Sequence, residues 1–302
     1  MVAKKTVTNH FGIAKGQHIN FVDVTLEEDL EAFVCPFLIE NNKDKLIVQN
    51  VYNRLKAFFV KFNKDYVVPN DRKNGLLFLS HLHEPNEYRL GYSGSNKGKA
   101  VGNPKAEDIF DSLRNNRFAQ QGITITNEAH NILLLVKGIG QDIMSDVIVN
   151  VCRDIFADFT FDECTKLGIP MKSSEIDFYD NATSVWVQKD AMLPFYIKNL
   201  ILVPNFVVSS KRSYSNLYNW FVASNYIAAE IISGTKPVSD LGKLVSTLKD
   251  GTRKAIVKEI YKQYKKPKRS LIDFVLQYPN SLDEFIEYAK DHYPELDLDN
   301  VK

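Results

Sequence analysis

The strongest restriction on the fold comes from a long apolar helix, which the sequence predicts from about residue 142 to residue 167. Gly168 and Pro170 follow it and end it. A helix that is apolar over most of its circumference must be buried. Its apolar positions are Ile143, Val147, Ile148, Val149, Val151, Cys152, Ile155, Phe156 and Phe159.

A polar stripe runs along this helix. Asp142, Asp146, Asn150 and Asp154 follow one another at intervals of four residues, and Arg153 lies beside the end of the stripe. An unpaired buried carboxylate is very costly, so each one needs a cation, a hydrogen-bond donor or a wet cleft. One interpretation is a cleft in which Asp142 and Asp146 bind Mg²⁺ or Mn²⁺. The other is structural: Asp142 caps the helix, Asp146 and Asn150 bond to neighbouring backbone, and Asp154 pairs with Arg153 or another cation.

The composition belongs to a folded chain. Apolar residues make up 44% of the 302 residues, with 19 Phe and 14 Tyr, and the net charge of +1 gives no global argument for nucleic acid or a membrane surface. We expect an α/β or α+β fold. Residues 1–210 would form a mixed sheet with flanking helices, and residues 211–302 a helical region that packs on it or forms a subdomain.

Hydrophobic periodicity places the individual elements. We expect helices at about 44–64, 105–115, 216–232, 238–249 and 252–264, with further helix starts at Ser270 and Ser281. We expect strands at 19–24, 76–80, 87–93, 123–126, 132–137, 184–188 and 200–203, and little strand after residue 208.

A glycine- and lysine-rich segment, residues 91–102, lies between a predicted strand and a predicted helix. Its glycines, among them Gly94 and Gly98, expose backbone N–H groups, and Lys97 and Lys99 add positive charge. Such a segment before a helix suits phosphate. It differs from a Walker loop, since Gly94 to Gly98 is one residue short and Ala100 stands at the hydroxyl position. The alternative is a surface loop of turn-forming residues.

A basic run near the end of the chain is the best sequence argument for a nucleic-acid backbone as partner. Between residues 249 and 269 there are nine Lys or Arg against Asp250 and Glu259, with Tyr261 and Tyr264 interleaved as stacking residues. A solvated helix face is the alternative. The candidate contacts are Lys258, Lys262, Lys265, Lys266, Lys268 and Arg269.

Several other features limit the class of protein. Cys35, Cys152 and Cys164 are an odd number and are predicted to be buried free thiols. The first residues lack the apolar core of a signal peptide, and no apolar run approaches the length of a membrane span, so we expect a cytoplasmic protein without membrane contact.

His81 and His83 would share one face of a strand end and could chelate a metal, but a solvent-facing strand end is the simpler interpretation.

Three stretches together resemble a set of uncharacterised bacterial proteins. They are residues 33–39, residues 90–102, and residues 138–146 with Asn150, and the resemblance covers roughly residues 20–205. In that set an aspartate is expected just before Pro36, where this chain has Cys35. The resemblance implies a bacterial protein and an association with phage defence, and it supplies no tested activity.

These features favour a metal-dependent enzyme acting on nucleic acid, most plausibly a nuclease. Asp142 and Asp146 would hold the metal, Asn150 and Lys97 would complete the catalytic group, and Lys99 would contact phosphate together with the loop glycines. The Glu-x-Lys sequence of a restriction-type nuclease core is missing.

Two other classes of function stay open. One is a non-enzymatic sensor or interaction subunit that binds a nucleotide or nucleic acid. The other is a scaffold whose helical C-terminal region binds a protein through its aromatic residues Tyr214, Tyr218, Trp220, Phe221 and Tyr226, although these suit a core equally well.

Overall fold

A computed structural model describes residues 5–92, 103–116 and 124–297. Its helices up to residue 167 are α1 (Val7–His10), α2 (Pro36–Asn41), α3 (Leu46–Phe62), α4 (Arg72–Leu79), α5 (Asn103–Arg114), α6 (Ala129–Leu135), α7 (Gln141–Val151) and α8 (Arg153–Leu167). Those after residue 210 are α9 (Tyr214–Val222), α10 (Ala228–Ser233), α11 (Leu241–Leu244), α12 (Val257–Tyr264), α13 (Ile272–Gln277) and α14 (Ser281–His292). Short 3₁₀ segments lie at Asn86–Tyr88, Thr124–Asn127, Asn205–Val207 and Lys268–Ser270, and π-helical turns at Asn63–Val67 and Ala223–Ile227.

The strands of the described residues form three separate two-stranded antiparallel sheets. The strands are β1 (Ala32–Val34), β2 (Met171–Asp180), β3 (Val185–Pro194), β4 (Val208–Ser210), β5 (Val245–Thr247) and β6 (Arg253–Ala255). β1 pairs with β4, with Phe33 opposite Ser209; β2 pairs with β3, with Ile176 opposite Lys189; β5 pairs with β6. The mixed α/β class with a helical C-terminal part is confirmed.

Helix α7 lies at the centre of the core. It packs against β1, α3 and β2, and nine of its eleven residues are buried, as its apolar sequence predicts. Beside it, the aromatic side chains Phe58 and Phe62 of α3 stack on Phe78 of α4, while Tyr179 of β2 and Trp186 of β3 contact Phe58 edge-on. No helix among the described residues has both the length and the apolar character needed to cross a membrane.

The predicted helix from 142 to 167 is two helices. The chain leaves α-helical geometry at Cys152, whose φ of −107° and ψ of 23° separate α7 from α8. Gly168 ends α8 in a left-handed conformation with φ +68°, as its position predicts. Because of the break, the stripe of acidic residues is divided between two helix axes.

Six of the seven predicted strands are wrong. Residues 76–80 belong to α4, which Asp71 caps by accepting a 3.2 Å hydrogen bond from the Asn74 backbone, and residues 132–135 belong to α6. Short apolar runs do not distinguish a buried helix from a buried strand. Residues 87–92, 124–126 and 200–203, the described parts of three further predicted strands, form 3₁₀ turns or irregular backbone, and residues 19–24 make only an isolated bridge at Phe21.

The helical C-terminal region contacts the preceding residues closely. The Phe37 ring of α2 stacks on Tyr214 of α9 with centroids 4.2 Å apart and meets Phe285 of α14 edge-on. Leu296 N–H donates a 2.7 Å hydrogen bond to Val208 O. The expectation of little strand after residue 208 is confirmed for the described residues, where β4, β5 and β6 have three residues each. A domain division near residue 210 stays a prediction.

Candidate functional site

The buried acidic residue of the stripe, Asp146, is paired with a lysine. Its carboxylate bonds to the ammonium of Lys105, in the first turns of α5, and Glu84 Oε2 lies 4.0 Å from the same ammonium. Asp142, one turn earlier on α7, acts electrostatically on both Lys105 and Asp146. The structure therefore brings together three carboxylates and one ammonium; we call Glu84, Lys105, Asp142 and Asp146 the acidic cluster.

Burial sets the electrostatics of the acidic cluster. It raises the pKa of Asp146 to about 7, against the opposing effect of the Lys105 ammonium, and it raises the pKa of Asp142 as well. Burial alone would lower the pKa of Lys105, but the carboxylates of Asp146 and Glu84 raise it overall. A carboxyl group with a pKa near neutrality can exchange a proton at physiological pH, which is typical of functional sites.

The described ends of the glycine- and lysine-rich segment flank this cluster. Gly91 has φ +138°, and a Cβ atom added there would lie 3.6 Å from Asp142 Oδ1, so the backbone passes close to that carboxylate. At the other end, Lys105 contacts Asp146. The segment residues predicted to contact phosphate, Gly94, Lys97, Gly98 and Lys99, lie outside the described residues.

Arg89, two residues before Gly91, combines strain with unpaired donors. It has a left-handed φ of 56°, which is uncommon for a residue with a side chain. Its guanidinium is buried, and Nε and Nη1 make no hydrogen bond with the described part of the chain. Asp29 interacts with it electrostatically, and burial raises the pKa of this aspartate. Strained residues with unpaired polar groups concentrate at functional sites.

Asn150 belongs to a second polar group, centred on Arg153. Its Nδ2 donates 2.8 Å hydrogen bonds to His83 O and Asp146 O, and its Oδ1 accepts a 2.6 Å bond from Arg153 Nη2. Asn150 is therefore saturated by protein partners, as the structural interpretation of the stripe expects.

Arg153 is nearly fully buried and contacts two carboxylates. Nη1 donates a hydrogen bond to Asp177 Oδ1 of β2. Nε lies 3.1 Å from Glu87 Oε1 and forms an ion pair with it, but the Nε–H group is not aligned for a hydrogen bond. Arg153 and Glu87 border a cleft of about 310 Å³, lined also by Glu175, Lys198 and Asn199.

The predicted histidine pair has structural partners. His83 Nδ1 lies 3.0 Å from His81 O and its Nε2 lies 2.7 Å from Arg153 Nη2, so Nδ1 carries the proton and Nε2 accepts from the guanidinium. His81 stacks on Trp186 with centroids 4.9 Å apart. The two histidines follow α4 in an irregular segment, and their separate contacts do not form a chelating pair.

The last member of the stripe is held by an arginine that sequence reasoning did not select. Arg54 of α3 binds Asp154 through two hydrogen bonds, 2.9 Å from Nη1 and 3.1 Å from Nη2, and also donates to Tyr179 O. Such a two-point contact is the strong geometry for a guanidinium and a carboxylate. Asp154 thus fixes α8 to α3 and β2.

The basic run is divided among several environments. Lys258 and Lys262 lie exposed on α12, where Lys262 pairs with Glu259 at 2.7 Å. Lys265 lies over the Tyr261 ring, and Arg269 is exposed. These four remain available to a phosphate backbone.

Two lysines of the run face the protein. Lys266 lies 3.3 Å from Asp273. Lys268 points inward, and its ammonium donates a 2.6 Å hydrogen bond to Ile139 O, in the turn before α7; burial lowers its pKa to about 8. The aromatic stretch of α9 is mostly core: Tyr214, Tyr218 and Phe221 are buried, and Trp220 is 39% exposed.

One cluster was missed by sequence reasoning altogether. Glu40 at the end of α2, Glu128 at the start of α6 and His130 in its first turn place one ligand atom each within 4.8 Å of one another. The Glu128-x-His130 spacing was the available signal, but residues 132–137 were interpreted as a strand. The three cysteines are buried free thiols, as predicted.

Comparison with known proteins gives a family and no function. No curated protein and no solved structure matches the chain. A family model described as "Domain of unknown function (DUF8370)" matches residues 12–216, which is more than half of the chain and includes the acidic cluster. The chain belongs to this family.

Proposed function

We propose that the protein is a metal-dependent enzyme that hydrolyses nucleic acid, with the acidic cluster as its active site. The observation that carries the proposal is the meeting of Asp142, Asp146 and Glu84 around the ammonium of Lys105, with the backbone of Gly91 close to Asp142.

The donor set fits Mg²⁺ or Mn²⁺. Three ionised carboxylates and Lys105 leave an excess of two negative charges, which one divalent cation neutralises, and hard cations of this kind prefer carboxylate oxygen. A nearby cation would also return the pKa of Asp146 toward its ordinary range. Asp142 and Asp146 would hold the ion, with Glu84 beside them.

The chain's own groups would do the rest of the chemistry. When bound, the metal polarises the scissile phosphate and makes an attacking water more acidic. Lys105, Lys97, Lys99 and Arg89 supply positive charge for the phosphate, Lys105 by exchanging its contact with Asp146. The exposed amines of the basic run, above all Lys258, Lys262 and Lys265, would track the remaining backbone. A role in bacterial phage defence is part of this proposal.

A cleavage assay tests the proposal. Labelled single- and double-stranded DNA and RNA are incubated with the protein in Mg²⁺ or Mn²⁺, and Asp146→Asn should reduce cleavage at least about 100-fold. The control is Asp158→Asn, because Asp158 is an exposed residue of α8 whose known partner is Lys189. Cleavage by Asp146→Asn at the rate of the unsubstituted protein, or no cleavage of any substrate with either ion, contradicts the proposal.

A second candidate is a non-enzymatic module that binds a nucleotide or nucleic acid. The observation in its favour is that Asp146, Asn150 and Asp154 already have protein partners, so they need no metal. Calorimetry with nucleotides and single-stranded DNA, with and without Mg²⁺, separates the two functions. Binding that is independent of the metal and is followed by no turnover supports the module.

A further inference from the structure

The cluster of Glu40, Glu128 and His130 has the composition of a metal site. Its two carboxylates and one imidazole come from two helices that approach each other at their ends, α2 and α6. Carboxylate oxygen with imidazole nitrogen is a donor set that Zn²⁺ uses, and three protein ligands leave a fourth position for water. Mg²⁺ avoids imidazole and prefers a shell of oxygens.

A second observation concerns one buried oxygen of this cluster. Glu40 Oε2 is buried, and no hydrogen-bond donor from the described parts of the chain reaches it. His130 is only 5% exposed, and its Nδ1 lies 3.7 Å from that oxygen, which is too far for a hydrogen bond. Two buried polar groups therefore face each other without satisfying each other, and a cation between them would bond to both.

The charges around the cluster allow an ion to enter. Lys43 pairs with Glu40 and Lys56 pairs with Glu128, but the two lysine side chains are 38% and 48% exposed, so both can swing into water. The carboxylates, at 15% and 18%, are held in place.

We propose that Glu40, Glu128 and His130 bind one Zn²⁺ ion, in competition with the ammonium groups of Lys43 and Lys56. The site shares no residue with the acidic cluster, so the two proposals stand or fall separately. A bound ion would link α2, which follows β1, to the start of α6.

Calorimetry on the full chain tests the site after treatment with a chelator. Titration with ZnCl₂ at neutral pH should show one ion per chain, and an excess of MgCl₂ should not displace it from this site. Glu40→Gln and His130→Asn should each weaken Zn²⁺ binding at least about tenfold. Glu175→Gln, at an exposed position of β2, is the matched control and should bind as the unsubstituted protein does.

A second test removes a competing lysine and should change the affinity for Zn²⁺ in the opposite direction. Lys56→Met keeps all three ligands and removes the ammonium that competes for Glu128, so it should tighten Zn²⁺ binding several-fold. X-ray absorption at the zinc edge should show one imidazole nitrogen and two carboxylate oxygens. Absence of saturable Zn²⁺ binding, full binding by Glu40→Gln and His130→Asn, or unchanged affinity in Lys56→Met overturns the proposal. The last criterion holds even when a ligand variant does not fold.

Discussion

Arg153 Nη2 donates a 2.6 Å hydrogen bond to Asn150 Oδ1 across the break between α7 and α8. The same guanidinium contacts Asp177 on β2 and Glu87 in the 3₁₀ turn before Gly91. One buried cation thus joins the two central helices, the long hairpin and the backbone that leads to the acidic cluster.

Arg153→Met should destabilise the protein by about 3–5 kcal/mol, because the substitution leaves the carboxylates of Asp177 and Glu87 without their buried counter-charge. Urea unfolding followed by circular dichroism measures the change. Lys189→Met is the control: its partner Asp158 is 69% exposed, and such a surface pair contributes less than about 1 kcal/mol. Equal effects of the two substitutions would refute a central role for Arg153.

The stability of the protein should depend on the protonation of Asp146. Its pKa is about 7 when folded and about 4 when unfolded, so its contribution is fully present below about pH 4 and is lost as the pH rises through 7. Asp146→Asn should remove this loss. Between pH 4 and pH 8 the free energy of unfolding should therefore fall more for the unsubstituted protein than for Asp146→Asn.

Asp180→Asn is the control for this pH dependence. Hydrogen bonds from Thr183 and the Ala182 backbone lower the pKa of Asp180, so its contribution has the opposite sign and lies at lower pH. The loss of stability between pH 5 and pH 8 should persist in this variant. A loss of equal size in Asp146→Asn would show that another group is responsible.

Lys268 should make the protein more stable as the pH rises, which is the opposite of the effect of Asp146. Burial lowers its pKa to about 8, whereas an unfolded lysine titrates near about 10.4. The unfolded chain therefore binds more protons between these values, and this lysine makes the folded protein more stable as the pH rises from 8 to 10. Lys268→Met should abolish that gain, while Lys265→Met, at an exposed position, should keep it. The free energies of unfolding of both variants and of the unsubstituted protein, measured at pH 8 and pH 10, test this prediction.

The turn before α7 should tolerate substitution at only one of its two glycines. Gly138 has φ +96°, and an added Cβ would lie 2.3 Å from Ser112 Oγ, so Gly138→Ala should cost about 1–3 kcal/mol. Gly140 has φ −93° and open space around its Cα. Gly140→Ala should change the unfolding free energy by less than about 0.5 kcal/mol, and thermal unfolding of both variants provides the comparison.

The sequence carries enough information to locate α7 and to mark its polar residues. The nine apolar positions between residues 143 and 159 predict burial of this part of the chain, and burial requires partners for Asp146 and Asp154. The partners themselves could not be predicted, because Lys105 and Arg54 lie on other helices and contact the stripe only in the folded chain. The break at Cys152 was likewise hidden, since the apolar pattern continues through it.

The Glu40–Glu128–His130 cluster was missed because part of helix α6 was predicted to be a strand. Runs such as residues 132–135 satisfy the pattern of a buried strand and of a buried helix equally well. The predicted strand began at residue 132, so it left Glu128 and His130 outside any predicted element and gave no reason to place them beside Glu40. As helix α6, it places both residues in one turn beside the end of α2, where Glu40 completes the group.

The pairing of β1 with β4 has a consequence for synthesis of the protein on the ribosome. Ala32–Val34 is made early, yet the strand that covers its edge, Val208–Ser210, emerges only after most of the chain has been translated. Until then the backbone groups of this edge have no partner and can pair with another nascent chain. We therefore expect binding of a chaperone to the growing chain to end when residue 210 leaves the exit tunnel.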